Sequence, residues 1–126
     1  LNALPLRSES VDLYLDDFST NNCIFTYNQP PYDVLSRWLA KDAPLIGLFL
    51  DYCKTPRSIR AFQKEHPDLM TERMSFSYAK TSLQRNGFAV TESKIIGQTS
   101  GREMEFHHQV GQEKLPFLVY RAERKK

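Results

Sequence analysis

The sequence predicts an α+β fold, with strands at both ends and helices between them. Three observations carry this. Apolar and polar residues alternate over residues 11–15, helical spacing governs residues 33–86, and strand-like runs return after Gly87. The chain has 126 residues, of which 40% are apolar and 25% charged. That suits one ordinary domain able to bury a core without metal or disulfides. It excludes a collagen, a disulfide scaffold and a long disordered tail.

Val11, Leu13 and Leu15 alternate with Asp12, Tyr14 and Asp16, the period-two pattern of a half-buried strand. A Ser-Thr-Asn-Asn run at 19–22 reads as a turn, and residues 23–27 are rich in aromatic and β-branched side chains. Together they predict an N-terminal β-hairpin ended by Pro30 and Pro31. Val34, Leu35, Trp38 and Leu39 then follow helical spacing, with Asp33 as N-cap. Residues 41–44 break that helix. Leu45, Ile46, Phe49, Leu50 and Cys53 give the stripe of a second helix. Thr55-Pro56 is a strong start signal for a third, with Ile59 and Phe62 inward and an end at 66–68. A fourth helix is expected over 71–86, stopped by Gly87. Strands follow at 88–96, 102–110 and 116–120, separated by turns at 97–101 and 111–114. Residues 121–126 read as a frayed tail.

The formal net charge of +2 hides an imbalance. Residues 1–53 carry three basic and seven acidic side chains, a net of −4, and residues 54–126 carry fourteen and eight, a net of +6. Cys23 and Cys53 lie in apolar stretches and read as reduced core residues of an intracellular protein (cytoplasm, nucleoid or nucleus); a single disulfide between them stays open. The longest apolar stretch, 43–50, is too short to span a bilayer and no signal peptide is evident. The sequence opens on Leu1 rather than methionine, consistent with a domain cut from a longer polypeptide.

From residue 44 the order is helix, helix, helix, strand, turn, strand, and the last helix exits through Leu83-Gln84-Arg85-Asn86-Gly87-Phe88 into a hairpin. This order resembles a winged helix-turn-helix domain over residues 44–110. The resemblance implies a core of three helices plus a β-hairpin wing at 43–122. The N-terminal hairpin and helix at 9–42 are an addition, and 123–126 is a tail. It further implies duplex DNA binding, with helix 71–86 in the major groove and the wing on the backbone. The turn at 65–70 is longer than that family uses, and Lys80 stands where an apolar residue is expected.

The residues themselves make a parallel case. On a helix over 71–86, Phe76, Ala79 and Leu83 face the core and Met74 packs at its start. The opposite face shows Ser75, Ser77, Tyr78, Thr81, Ser82, Gln84 and Arg85, side chains that read base edges or hold phosphates. Arg57 and Arg60, with Lys54, are phosphate candidates at the start of the preceding helix; Lys94 and Arg102 are candidates on the wing, beside Thr99 and Ser100. Transcription regulation, replication or recombination follows as the expected setting. A polar helix with a few arginines is also common on proteins that bind no nucleic acid. The alternative is a winged-helix protein-interaction module. Tyr27, Tyr32 and Trp38 either pack the hairpin on the first helix or form a homodimer surface.

Other chemistry is weaker. Glu92-Ser93-Lys94 fits the Glu-x-Lys element of a metal-dependent nuclease if Asp12, Asp16 or Asp17 lies on the neighbouring strand. His107 and His108 with Glu103 and Glu105 are better read as a solvated strand face than as a metal site. His66, before Pro67, reads as a surface histidine. No nucleophilic grouping and no phosphate-cradling glycine loop is present. The expectation is therefore a non-enzymatic protein with no cofactor and no metal.

Overall fold

A computed structural model of the chain describes residues 6–98 and 115–125. The expected strand 102–110, the turns around it, and Thr99, Ser100, Arg102, Glu103, Glu105, His107 and His108 lie outside the described residues.

The N-terminal strand forms as β1, Tyr14–Asp17, but the expected hairpin does not. Ser19–Tyr27 is a helix, α1. The Ser-Thr-Asn-Asn run is its first turn, because the Asp16 carboxylate accepts the Thr20 backbone N–H at 3.0 Å and satisfies a donor the helix leaves open. That capping, with Ile24 fully buried and the Phe25 ring on Tyr52 and Phe62, overrides the β-propensity of 23–27. The homodimer through an N-terminal hairpin goes with the hairpin. Helix α2 is Tyr32–Trp38, with Pro31 rather than Asp33 at its N-cap. Tyr32 and Trp38 are core residues, whereas Tyr27 is exposed.

The largest change is at 45–50, which is strand β2, Leu45–Leu50, and not a helix. A short apolar run bounded by Pro44 and Asp51 fits either element from periodicity alone. A strand with neighbours on both sides reads as continuous apolar sequence. Helix α3, Pro56–Glu65, starts as expected: Thr55 caps it, its hydroxyl accepting Ser58 N–H at 3.1 Å in a reciprocal capping box. Phe62 is fully buried. The expected helix 71–86 is broken at Ser75 into a 3-10 turn, Thr71–Met74, and α4, Phe76–Arg85. Ser75 caps α4 by accepting Tyr78 N–H. Phe76, Ala79 and Leu83 face the core as expected, and Gly87 follows at φ +85°, the left-handed turn that glycine takes without strain.

Strands β3, Phe88–Gln98, and β4, Pro116–Arg124, close the order. They form no wing. The four strands make one sheet in the order β1-β2-β4-β3, with β4 inside it. β1 and β2 run parallel, Tyr14 beside Leu45 through Asp17 beside Leu48; β4 is antiparallel to both β2 and β3. Residues 121–124, expected to fray, continue β4, and the Arg124 guanidinium donates to the Ser36 and Leu39 carbonyls and lies over the Phe88 ring.

Helices pack on one face of this sheet. Tyr32 of α2 meets Tyr120, and Phe76 of α4 lies 5.7 Å from Phe49 and 5.6 Å from Tyr120, ring centre to ring centre. Burying each such aromatic contributes about 1.5–3 kcal/mol. Gly47 permits the arrangement: a Cβ there would meet the Tyr120 ring at 2.6–2.7 Å. Gly47→Ala is therefore expected to lower unfolding free energy by about 1–3 kcal/mol, the usual cost of overpacking. Urea titration checks this; an unchanged midpoint removes the close packing. Among the described residues no helix is long and apolar enough to cross a membrane.

Candidate functional site

Both parallel strands end on the same side of the sheet, β1 at Asp17 and β2 at Leu50. β1 passes into α1 through one residue, Phe18, held at φ 58° and ψ 13°. A bulky residue in that left-handed region costs on the order of 1–3 kcal/mol and persists only where its surroundings enforce it.

The surroundings are a buried polar network beneath the turn. Asp16 is 2% exposed. Its carboxylate accepts from the Ser19 and Thr20 hydroxyls at 2.5 Å each, from Thr20 N–H, and from the Tyr120 hydroxyl at 2.7 Å. Charge-assisted bonds of this kind are short and strong, and they compensate the burial of the charge. The Tyr120 and Tyr32 hydroxyls lie 3.2 Å apart, and the Tyr14 hydroxyl lies 2.9 Å from that of Ser19. Burial pushes both Tyr32 and Tyr120 well above the ordinary tyrosine range; for Tyr120 the neighbouring Tyr32 and Asp16 add to it. Asn21 ties α1 to the end of β2: its amide donates to the Leu50 carbonyl and accepts Leu50 N–H, both at 2.9 Å.

What reaches solvent at this end is an acidic rim. Asp17 is exposed, while Phe18, Ser19, Asp51 and Cys53 are half-buried. Asp51 accepts Cys53 N–H at 2.8 Å, and the Cys53 thiol donates to the Thr71 carbonyl at 3.1 Å. Burial, then Asp51 and Glu72, push that thiol up to about 12, so it stays protonated and is not a nucleophile. Cys23 and Cys53 are both free, so the disulfide left open does not form. Carboxylates at the carboxyl ends of parallel strands suit cationic or hydroxyl-bearing ligands, and such strand ends are where open α/β sheets bind ligands.

Cavities among the described residues lie elsewhere. One of about 600 Å³, between Glu9, Lys41, Asp42, Glu123, Arg124 and Lys125, is a mixed-charge cleft at the opposite end of β2. One of about 430 Å³ runs beside α3 from Gln63 to His66 and on to Met70 and Glu72, and one of about 370 Å³ lies on the sheet face by Ile46, Lys94 and Val119. The strand-end geometry, not cavity size, marks the candidate site.

The described residues expected to touch DNA lie on α3, on α4 and the residue that caps it, and on β3. Arg57 and Arg60 are exposed on α3; Ser77, Thr81, Gln84 and Arg85 are exposed on α4, with Tyr78 half-buried beneath the Arg73 guanidinium. Ser75 is consumed as a cap, and Ser82 is buried. Lys94 lies on β3, in the sheet. The nuclease arrangement fails on topology. Glu92 and Lys94 are on β3 and Asp16 and Asp17 on β1, with β2 and β4 between them, and Asp12 precedes β1. Asp16 is the central residue that sequence reasoning misassigned. Asn21 was missed altogether; its one signal was its place in the polar run after β1.

No protein-family model matches the chain, and no curated protein matches it in sequence. Solved structures do match in fold. A SAM-dependent methyltransferase of Methanosarcina mazei superposes on 98% of this chain at TM-score 0.64 and 12% identity. A SAM-dependent methyltransferase of Thermotoga maritima, described as a possible histamine N-methyltransferase, covers 97% at 0.58 and 20%. A 16S rRNA (adenine(1408)-N(1))-methyltransferase of Catenulisporales acidiphilia, solved with its cosubstrate SAM, covers 95% at 0.50 and 14%. The chain spans 64%, 59% and 56% of those three chains. The winged helix is thereby overturned. With it go duplex DNA as partner, transcription regulation, the winged-helix interaction module, the nuclease and the non-enzymatic expectation. The sheet order, the parallel pair and these superpositions together show that the chain has the α/β fold of SAM-dependent methyltransferases over somewhat more than half of their length.

Proposed function

We propose that this chain takes part in S-adenosylmethionine-dependent methyl transfer, with the carboxyl ends of β1 and β2 forming one wall of the reaction site. The observation that carries this is the fold likeness across almost the whole chain, in which the only parallel strand pair among the described residues ends at Asp17 and Leu50, with Asp51 next in the chain. S-adenosylmethionine supplies an electrophilic methyl group on a sulfonium. Of its parts, the ammonium, the sulfonium and the ribose hydroxyls suit the acidic rim, so the residues present fit the cosubstrate on that side. Asp17 and Asp51 attract and orient positive charge. The Asp16 network holds the Phe18 turn rigid, so that Ser19 and the first turn of α1 keep their place at the wall. The protonated Cys53 does not compete for the methyl group.

Photolabelling of the protein purified from its source cells with S-adenosyl-[methyl-³H]methionine tests this. Label competed by S-adenosylhomocysteine, and reduced at least fivefold by Asp17→Asn with Asp51→Asn, is the expected result. No competable label overturns the reading.

A further inference from the structure

The cavity of about 600 Å³ at the opposite end of β2 is lined by Glu9, Lys41, Asp42, Glu123, Arg124 and Lys125, and so by charged residues throughout. Small-molecule sites occupy roughly 300–1,000 Å³ and are usually lined by apolar groups with a few polar ones. This cleft has the volume of such a site but offers three cations and three carboxylates instead.

Backbone bonds fix its walls. Glu9 N–H donates to the Arg37 carbonyl at 2.9 Å, and Glu9 is held at φ 56°, a left-handed conformation that a glutamate adopts only where its surroundings enforce it. Lys41 and Asp42 sit on a turn closed by Ala43 N–H on the Ala40 carbonyl at 3.0 Å, and Lys125 N–H donates to the Gly87 carbonyl at 2.8 Å. The charges are therefore carried on a frame set before any ligand arrives, which lowers the entropy lost on binding.

Most of those charges are not cancelled within the cleft. Glu123 is paired, with Arg121 donating to it at 2.8 and 2.9 Å. Arg124 is half-buried, and its partners among the described residues are neutral: the Ser36 and Leu39 carbonyls and the Phe88 ring. Its Nε is buried and meets no acceptor there. A guanidinium withdrawn from water and held only by neutral groups keeps its full charge and favours an anion beside it. Glu9, Lys41, Asp42 and Lys125 are exposed, and among the described residues none of them is in an ion pair. The carboxylates of Glu9 and Asp42 repel a simple anion, and the three cations repel a simple cation. A small ligand that carries both signs meets both sets of groups.

We infer that this cleft binds a small zwitterion, its phosphate or carboxylate toward Arg124, Lys41 and Lys125 and its ammonium toward Glu9 and Asp42. The site lies at the other end of the sheet from Asp17 and Asp51, so it stands whether or not the chain transfers methyl groups.

Isothermal titration of the protein purified from its source cells tests this. The probes are O-phosphoethanolamine and β-alanine, compared with phosphate, propionate and ethylamine as their singly functional parts. At least one zwitterion is expected to bind about tenfold or more tightly than each of its parts, and added salt is expected to weaken it. The tighter of the two identifies the anionic group. Lys41→Ala with Lys125→Ala is expected to lower that affinity about tenfold, whereas Lys80→Ala on α4, outside the cleft, leaves it unchanged. Glu9→Gln with Asp42→Asn is expected to erase the preference for the zwitterion while its anionic part binds no more weakly than before. Arg124 is left in place because it holds the end of α2. Failure of both zwitterions to bind, binding no tighter than the parts, affinity unmoved by both cleft variants, or an equal loss in Lys80→Ala overturns the inference.

Discussion

Replacing Asp16 by Ala is expected to lower the unfolding free energy by about 3 kcal/mol or more. The carboxylate is buried and accepts from four donors: two hydroxyls of α1, one backbone N–H and the Tyr120 hydroxyl. Hydrogen bonds to charged groups contribute roughly 1.5–3 kcal/mol each, and each buried donor left without an acceptor costs about 1–3 kcal/mol. Relaxation lets water reach some of them, so the sum is not additive. The same change removes the cap that lets Phe18 sit in the left-handed region, so the turn at the strand end loosens with it. Asp16→Asn keeps the size but offers one acceptor oxygen in place of two, and an intermediate loss is expected. Urea unfolding of the three proteins decides this. A loss below about 1 kcal/mol for Asp16→Ala would show that the network does not hold the turn.

Alkaline pH is expected to destabilise the fold. Tyr32 and Tyr120 are fully buried, and both titrate above the ordinary tyrosine value because burial disfavours the phenolate. The folded state therefore binds protons that the unfolded chain releases from about pH 10 upward. Their stabilising contribution is fully present below that pH and is lost as pH rises toward the folded values. Once above the unfolded value, each tyrosine contributes a slope approaching about 1.4 kcal/mol per pH unit. Cys53 adds to the fall over a lower window, from its unfolded value near 9 up to about 12. Equilibrium unfolding at pH 8, 10 and 11 measures the slope. Tyr32→Phe removes one ionisable group and is expected to flatten it; a slope unchanged in that variant would contradict the burial argument.

Much of the local structure was legible, and for identifiable reasons. The capping pair Thr55 and Pro56, the core stripe Phe76, Ala79 and Leu83, and the exit at Gly87 are all short-range signals. They act through backbone hydrogen bonds and side-chain spacing within a few residues. The strand β3 was legible in the same way. The candidate site was not. Asp16 looked like one more polar residue of an alternating strand, and its value comes from Tyr120, which is 104 residues away in the chain. Asn21 looked like part of a turn, and its two bonds go to Leu50, 29 residues away.

Residues 45–50 decided the fold. Their apolar run fits a helix or a buried strand equally, and local spacing cannot separate the two. A strand there converts three consecutive helices and a wing into a mixed sheet with β4 at its interior. The sequence by itself determined where α3 starts and stops, where α4 ends, which residues of those helices face the core, and the acidic bias of the first half. Only the tertiary structure decided that 23–27 is helix and that 45–50 is strand. It alone brought Asp16, Tyr32 and Tyr120 together. The reason is that those outcomes depend on pairing and burial between distant segments, a free energy that no local pattern of residues records.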